Sequence, residues 1–210
     1  MVVCLIVALL TLTTTLVIRF ISQRSLNQQR IQTVTGQMVL AMDKILLPLE
    51  NQHTSLLNFV GQPCRDIHLP LRKLAATLQT VRTIALVKSS ILYCSSIYGE
   101  RNVNVHQRQP MLPSNHPILV FSTDGSLLVG SPVLIQWYPV SPSGADGVML
   151  MINIELLGEL ILNAKSPLIT GIGLQVGGKS FINGLGLVDR NAIPGERIIY
   201  HQSSSQFPFT

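Results

Sequence analysis

Two cysteines thirty positions apart, Cys64 and Cys94, are the residues of this 210-residue chain best suited to chemistry, and the second opens a Cys94-Ser95-Ser96 triplet inside the apolar run 91–98. Residues 1–18 carry no charge and are largely apolar. Such a segment puts the remainder of the chain on the far side of a membrane, where thiols oxidise and disulfides persist. A redox-capable cross-link in an exported domain is therefore the first chemistry to consider. Three states of the two thiols fit the sequence: a static structural disulfide, a disulfide that switches, or two buried free thiols in a reducing compartment. Ser95 and Ser96 lack a histidine and carboxylate placed by any motif to activate them, so they are expected to satisfy hydrogen bonds near a strand. Cys4, within the apolar run, is read as a small filler.

Other residue types offer less. His53, His68, His106, His116 and His201 show no metal-ligand spacing with one another or with the cysteines. Gly171-Ile172-Gly173 and Gly177-Gly178 lie between strand-like runs with no helix after them, which favours a hairpin over a phosphate-binding loop. No nucleophile elbow and no paired acids mark a hydrolase. The sequence calls for no catalytic residue, metal or cofactor. Net charge is +5, but the basic residues (Arg65, Arg72, Lys73, Arg82, Lys88, Arg101, Arg108) are scattered singly without an aromatic platform, which argues against nucleic acid.

The elements that must position the cysteines emerge from periodicity. Residues 1–21 are just long enough to cross a bilayer, with Arg19 able to snorkel. The lack of a basic leader and of a small-residue cleavage site favours an uncleaved anchor over a signal peptide. Arg19, Arg24 and Arg30 pull the other way on orientation, since the positive-inside rule keeps such residues in the cytoplasm unless a second span fixes the topology. Beyond the anchor, Val34, Met38, Met42, Ile45, Leu49, Leu56 and Val60 recur at helical spacing, predicting a long amphipathic helix that Pro48 kinks or breaks. Its stripe is expected to face its own domain's core, although such a helix, continuous with a span, also suits a rigid dimeric stalk. A short helix is predicted over 66–78, with Cys64 at the turn before it. Strands are expected at 83–87 and 91–98, a long loop over a pocket at 99–117, and strands at 118–122, 127–129, 133–138 and 148–154. A helix at 155–164 and a final hairpin (169–176 and 179–188) complete the order. Asp124-Gly125 reads as a tight turn. Helices first, then an antiparallel sheet with one inserted helix, define an α+β domain. The organisation expected is an anchor over 1–21 and one folded unit over 22–210.

The order of anchor, long helix, a cysteine at a turn and Tyr93-Cys94-Ser95-Ser96 on an early strand resembles the CSS-motif domain, the periplasmic sensor region of bacterial EAL-type cyclic-di-GMP phosphodiesterases. The resemblance covers essentially the whole chain. It implies that Cys64 and Cys94 form an intramolecular disulfide that sets the output of a cytoplasmic EAL domain beyond a second span. It further implies an inner-membrane protein with its domain in the periplasm; the partners expected are a second copy through the stalk helix and periplasmic thiol-disulfide oxidoreductases. No second span or EAL domain occurs within the 210 residues, and Glu155-Leu156-Leu157, on a packing helix and without the following basic residue, carries no catalytic weight. The alternative is a Cache- or PAS-like module with a purely structural disulfide, binding a small molecule beneath 99–117 beside Trp137 and Tyr138.

Overall fold

A computed structural model of the protein describes residues 2–122, 132–162, 173–182, 186–189 and 202–204. Helix α1 (Val2–Leu57) is one continuous element of 56 residues, about 84 Å long at 1.5 Å per residue. In its first 21 residues the large apolar side chains, Val3, Ile6, Leu9, Leu16, Phe20 and Ile21 among them, point outward with nothing packed on them. The hydroxyls of Thr11, Thr13, Thr14 and Thr15 donate to carbonyls three or four residues back, so this segment shows little bare polarity. It is long and apolar enough to span a membrane. From Met38 onward the pattern inverts, and Met38, Met42, Leu46, Leu49 and Leu56 form one buried stripe. The break anticipated at Pro48 does not occur. Pro48 lies on the exposed side, and the helix continues through it.

Helix α2 (Cys64–Thr77) comes after a short turn, starting two residues earlier than its apolar spacing suggests, with Asp66 in the first turn where the helix dipole favours a carboxylate. Next come β1 (Val81–Lys88), β2 (Ile91–Ser95), β3 (Gly99–Asn104), the single-turn α3 (Val105–Arg108), β4 (Ile118–Ser122), β5 (Val133–Pro139) and β6 (Gly147–Asn153). The strands form one antiparallel sheet in the order β3-β2-β1-β6-β5-β4. Helix α4 (Ile154–Leu162) leaves β6 directly. The strands β7 (Gly173–Val176), β8 (Lys179–Ile182) and β9 (Gly186–Asp189) make a separate three-stranded sheet. The expected strand over 179–188 is thus two strands. The hairpin turn at Gly177-Gly178 stands, with Gly177 at φ 59°, which only glycine adopts without strain. The strand expected at 127–129, the Asp124-Gly125 turn, Gly171 and His201 lie outside the described residues.

Both faces of the large sheet are buried, so its central strands read as unbroken apolar runs. On one face Ile84, Leu86, Leu134, Val148, Leu150 and Ile152 meet α1, α2 and α4. On the other, Ala85, Val87, Ile135, Trp137, Met149 and Met151 form a second core. The segment 99–117 covers that second face and differs from the expected pocket-covering loop. It begins with β3 and α3, buries Val105 and Leu112 completely, and accepts the Trp137 indole N–H on the Ser114 carbonyl at 2.7 Å. Apolar side chains fill the space beneath it.

Candidate functional site: a covalent junction of helix and sheet

Strand β2 departs from regular pleating at one residue, and that departure aims the cysteine. Leu86 and Val87 of β1 pair with Cys94 and Leu92, leaving Tyr93 as the extra residue of a bulge. The register against β3 breaks between the same two positions. In a regular strand Leu92 and Cys94 would face the same side. Across the bulge Leu92 enters the second core, while Cys94 turns to the helical face.

Cys64 meets it there because it opens α2 on the same stripe as Ile67 and Leu71, all three buried. The two cysteines are joined in a disulfide, with Cα atoms 5.3 Å apart. Burial is unequal: Cys94 is 0% exposed and Cys64 7%.

The neighbours of Cys94 fix the same junction by other means. The Tyr93 hydroxyl accepts from the Gly61 N–H at 2.8 Å and donates to the Phe59 carbonyl at 3.2 Å, pinning the α1–α2 turn. Burial pushes the Tyr93 hydroxyl above its ordinary pKa, partly offset by the Gly61 N–H. Ser96 exchanges two bonds with Ile84: its N–H donates to the carbonyl at 2.8 Å, and its Oγ accepts from the amide at 3.0 Å. The Ser95 Oγ accepts from the amides of Ile97 and Tyr98, each at 3.3 Å, closing the turn into β3. Neither serine is bonded to a histidine or carboxylate among the described residues; both complete backbone hydrogen bonding.

A second attachment holds α1 to the sheet one face-width away. The Tyr138 hydroxyl donates to Glu50 Oε2 at 2.5 Å and accepts from the Gln136 amide, and the His53 ring stacks on Tyr138 with centroids 4.6 Å apart. Burial, with the Glu50 hydrogen bond and charge added, drives the Tyr138 hydroxyl far above the usual tyrosine range. Composition gave no hint of this cluster, since its members are distant in sequence and common in type. Among the described residues no group of three histidines, cysteines or acids is placed to hold a metal.

A helix long and apolar enough to span a membrane runs into an α+β domain whose Cys-Ser-Ser strand is cross-linked to a preceding helix, the architecture of a membrane-anchored module. The profile of the family described as "CSS motif domain associated with EAL" matches residues 27–210, and the chain belongs to that family. The chain is 49% identical over all of its 210 residues to "Probable cyclic di-GMP phosphodiesterase PdeD" of Escherichia coli (strain K12), covering 40% of that protein. It is also 27% identical over 115 residues, 54% of the chain and 22% of the relative, to "Probable cyclic di-GMP phosphodiesterase PdeN" of the same organism. The chain thus spans well under half the length of both relatives.

Proposed function

We propose that this chain is the periplasmic, membrane-anchored sensor region of a cyclic di-GMP phosphodiesterase, and that the thiol or disulfide state of Cys64 and Cys94 sets the output of that enzyme. The single observation that carries the reading is the disulfide at the helix-to-sheet junction, in a chain similar from end to end to a phosphodiesterase more than twice its length. In this reading residues 1–21 anchor the chain in the inner membrane, residues 22–210 fold in the periplasm, and a second span answers the opposing pull of Arg19, Arg24 and Arg30. Residues 22–41 of α1 are mostly exposed and offer the stalk face on which a second copy packs.

The redox step needs a dithiol partner of the thiol-disulfide oxidoreductase class. Its thiolate attacks one sulfur, the Cys64–Cys94 bond breaks, and its second thiol resolves the mixed disulfide. Two electrons and two protons pass to Cys64 and Cys94, and the donor leaves as a disulfide. Opening the bond releases a loop with a sequence separation of 30, worth roughly 3 to 4 kcal/mol in the chain-entropy picture. That is a large share of a domain's net stability, and it falls on the contact between stalk and sheet.

The test is thiol alkylation of protein taken from an oxidising compartment, read by mass with and without reductant. A shift for Cys64 and Cys94 only after reduction is expected, together with a loss of unfolding free energy of about 3 kcal/mol on reduction that is absent in Cys64→Ser. Full labelling without reductant would end the proposal.

A further inference from the structure

We propose a second recognition site beside the cross-link: a cavity for a small organic carboxylate with a short hydrocarbon tail, held by Arg72 and Arg82. This goes beyond the thiol reading and does not depend on it.

The cavity, about 240 Å³, lies between α2 and the ends of β1 and β2 and is lined by Arg72, Ala75, Ala76, Val81, Arg82, Ser96 and Ile97. Arg72 and Arg82 both line it, and no carboxylate is among its walls. Among the described residues neither arginine has an ion-pair partner. Two like charges converging on one concavity favour an anion that bridges them, and guanidinium presents a planar fork matched to carboxylate.

Strand geometry supplies an independent observation. Val81 and Arg82 are consecutive, and consecutive residues of a regular strand point to opposite faces. Both line this cavity, because the register of β1 against β6 slips between Val81 and Thr83 and leaves Arg82 as the extra residue of a bulge. Bulges of this kind re-aim a side chain, and they concentrate near functional sites. Without the slip Arg82 would pair with Ile152 and still face the helices, while Val81 would leave the cavity for the other side of the sheet.

Ser96 adds directionality. It is almost wholly buried, and its Oγ accepts from the Ile84 amide, which leaves its O–H free to donate. No acceptor for that proton occurs among the described residues. A carboxylate in the cavity supplies one. The remaining walls (Ala75, Ala76, Val81 and the methyls of Ile97) are apolar, which favours a short aliphatic acid over inorganic phosphate.

The site also has a place in the architecture. Arg72 sits on the helix that Cys64 begins, and Ser96 lies two residues beyond Cys94. An occupant bridges the same two elements as the disulfide, so ligand and cross-link stabilise the same junction and affect one another reciprocally.

The experiment uses the full chain in detergent micelles, titrated at constant ionic strength with sodium butyrate, sodium phosphate or sodium chloride and read by thermal shift and calorimetry. Butyrate is expected to raise Tm saturably where chloride does not, and to bind more tightly than phosphate. Arg72→Gln and Arg82→Gln should each weaken butyrate binding at least fivefold, Arg82→Lys less, and Ile97→Trp, which fills the cavity, should abolish it. The disulfide is verified in each variant by alkylation, so a misfolded protein is recognised as such. In the reduced protein butyrate affinity should fall by a measurable factor. Butyrate acting no differently from chloride, or binding unchanged in both arginine-to-glutamine variants, overturns the site. Phosphate binding more tightly than butyrate overturns its assignment to carboxylates.

Discussion

Cys64 and Cys94 are not equivalent. Under the redox function proposed above, the small exposure of residue Cys64, against none of Cys94, orders where exchange begins, since an attacking thiolate must approach a sulfur along an open path. Attack therefore falls on Cys64, with Cys94 leaving into the core. Its Sγ lies 3.9 Å from the Cys64 carbonyl, a ready acceptor for the thiol once it forms. The first prediction compares two single variants. The lone Cys64 of Cys94→Ser should alkylate roughly tenfold faster than the lone Cys94 of Cys64→Ser, because the latter waits on local opening of β2. Equal rates would mean that the junction opens as a whole before either sulfur reacts. Tyr93 belongs to the same lock, and its loss leaves the Gly61 amide and the Phe59 carbonyl without their partner. The sequence made Cys94 and its partner legible through type and context. It could not show that Tyr93 is the bulge residue, because a bulge is a relation between two strands and leaves no mark in one strand's alternation.

At the scale of elements, α1 is held to the sheet in two ways, by its buried apolar stripe and by the Glu50–Tyr138–Gln136 cluster. The second carries a pH signature. Tyr138 is raised first by burial and then by Glu50, and Tyr93 is raised by burial as well. Below about pH 10, the ordinary tyrosine pKa, both hydroxyls are protonated in the folded and unfolded chain alike. Above it the unfolded chain ionises while the folded protein keeps its protons, so stability falls as pH rises. Denaturant unfolding at pH 8, 10 and 11 should show this loss, and Tyr138→Phe should flatten it while lowering stability at pH 8 by about 1 kcal/mol for the lost hydrogen bonds. A slope identical to that of the unmodified protein would remove Tyr138 from the account. Element types were largely readable, since α1, α2 and the central strands have strong apolar periods. Two readings failed for identifiable reasons. Pro48 could be tolerated because its ring faces outward, and the mostly polar, proline-containing stretch 99–117 hides Val105 and Leu112, whose burial only the second sheet face explains.

At the scale of the molecule, the question is how a change at the junction reaches the membrane. Helix α1 connects them directly, but residues 202–204 touch the same helix much nearer the anchor. Ser204 Oγ donates to Asp43 Oδ1 at 2.6 Å, and a Cβ on Gly36 would come within 3.3 Å of Gln202 Oε1. A glycine within a helix costs about 1 kcal/mol relative to alanine, and here its missing side chain leaves the Gln202 amide close against the helix. From Gly36 to the end of α1 is about 30 Å at 1.5 Å per residue, so one helix runs from the docked 202–204 segment near its middle to the turn that leads into the cross-linked α2. Under the proposed redox function, rotation or displacement of α1 at the junction would reach that segment without any further moving part. Side-chain size sets the expected outcome. Gly36→Ala asks only a few tenths of an ångström of a flexible amide and gains helix propensity, so its stability should be near that of the parent protein. Gly36→Leu cannot be accommodated in that way and should displace Gln202. Hydrogen exchange of the full chain in micelles measures it: amides at 202–204 should exchange faster in Gly36→Leu and Asp43→Asn, with α1 protection at Leu46–Leu56 unchanged. Reduction of Cys64–Cys94 in the parent protein should speed the same amides. If exchange at 202–204 is indifferent to reduction while Gly36→Leu raises it, the docking is real but the stalk does not carry the signal of the junction.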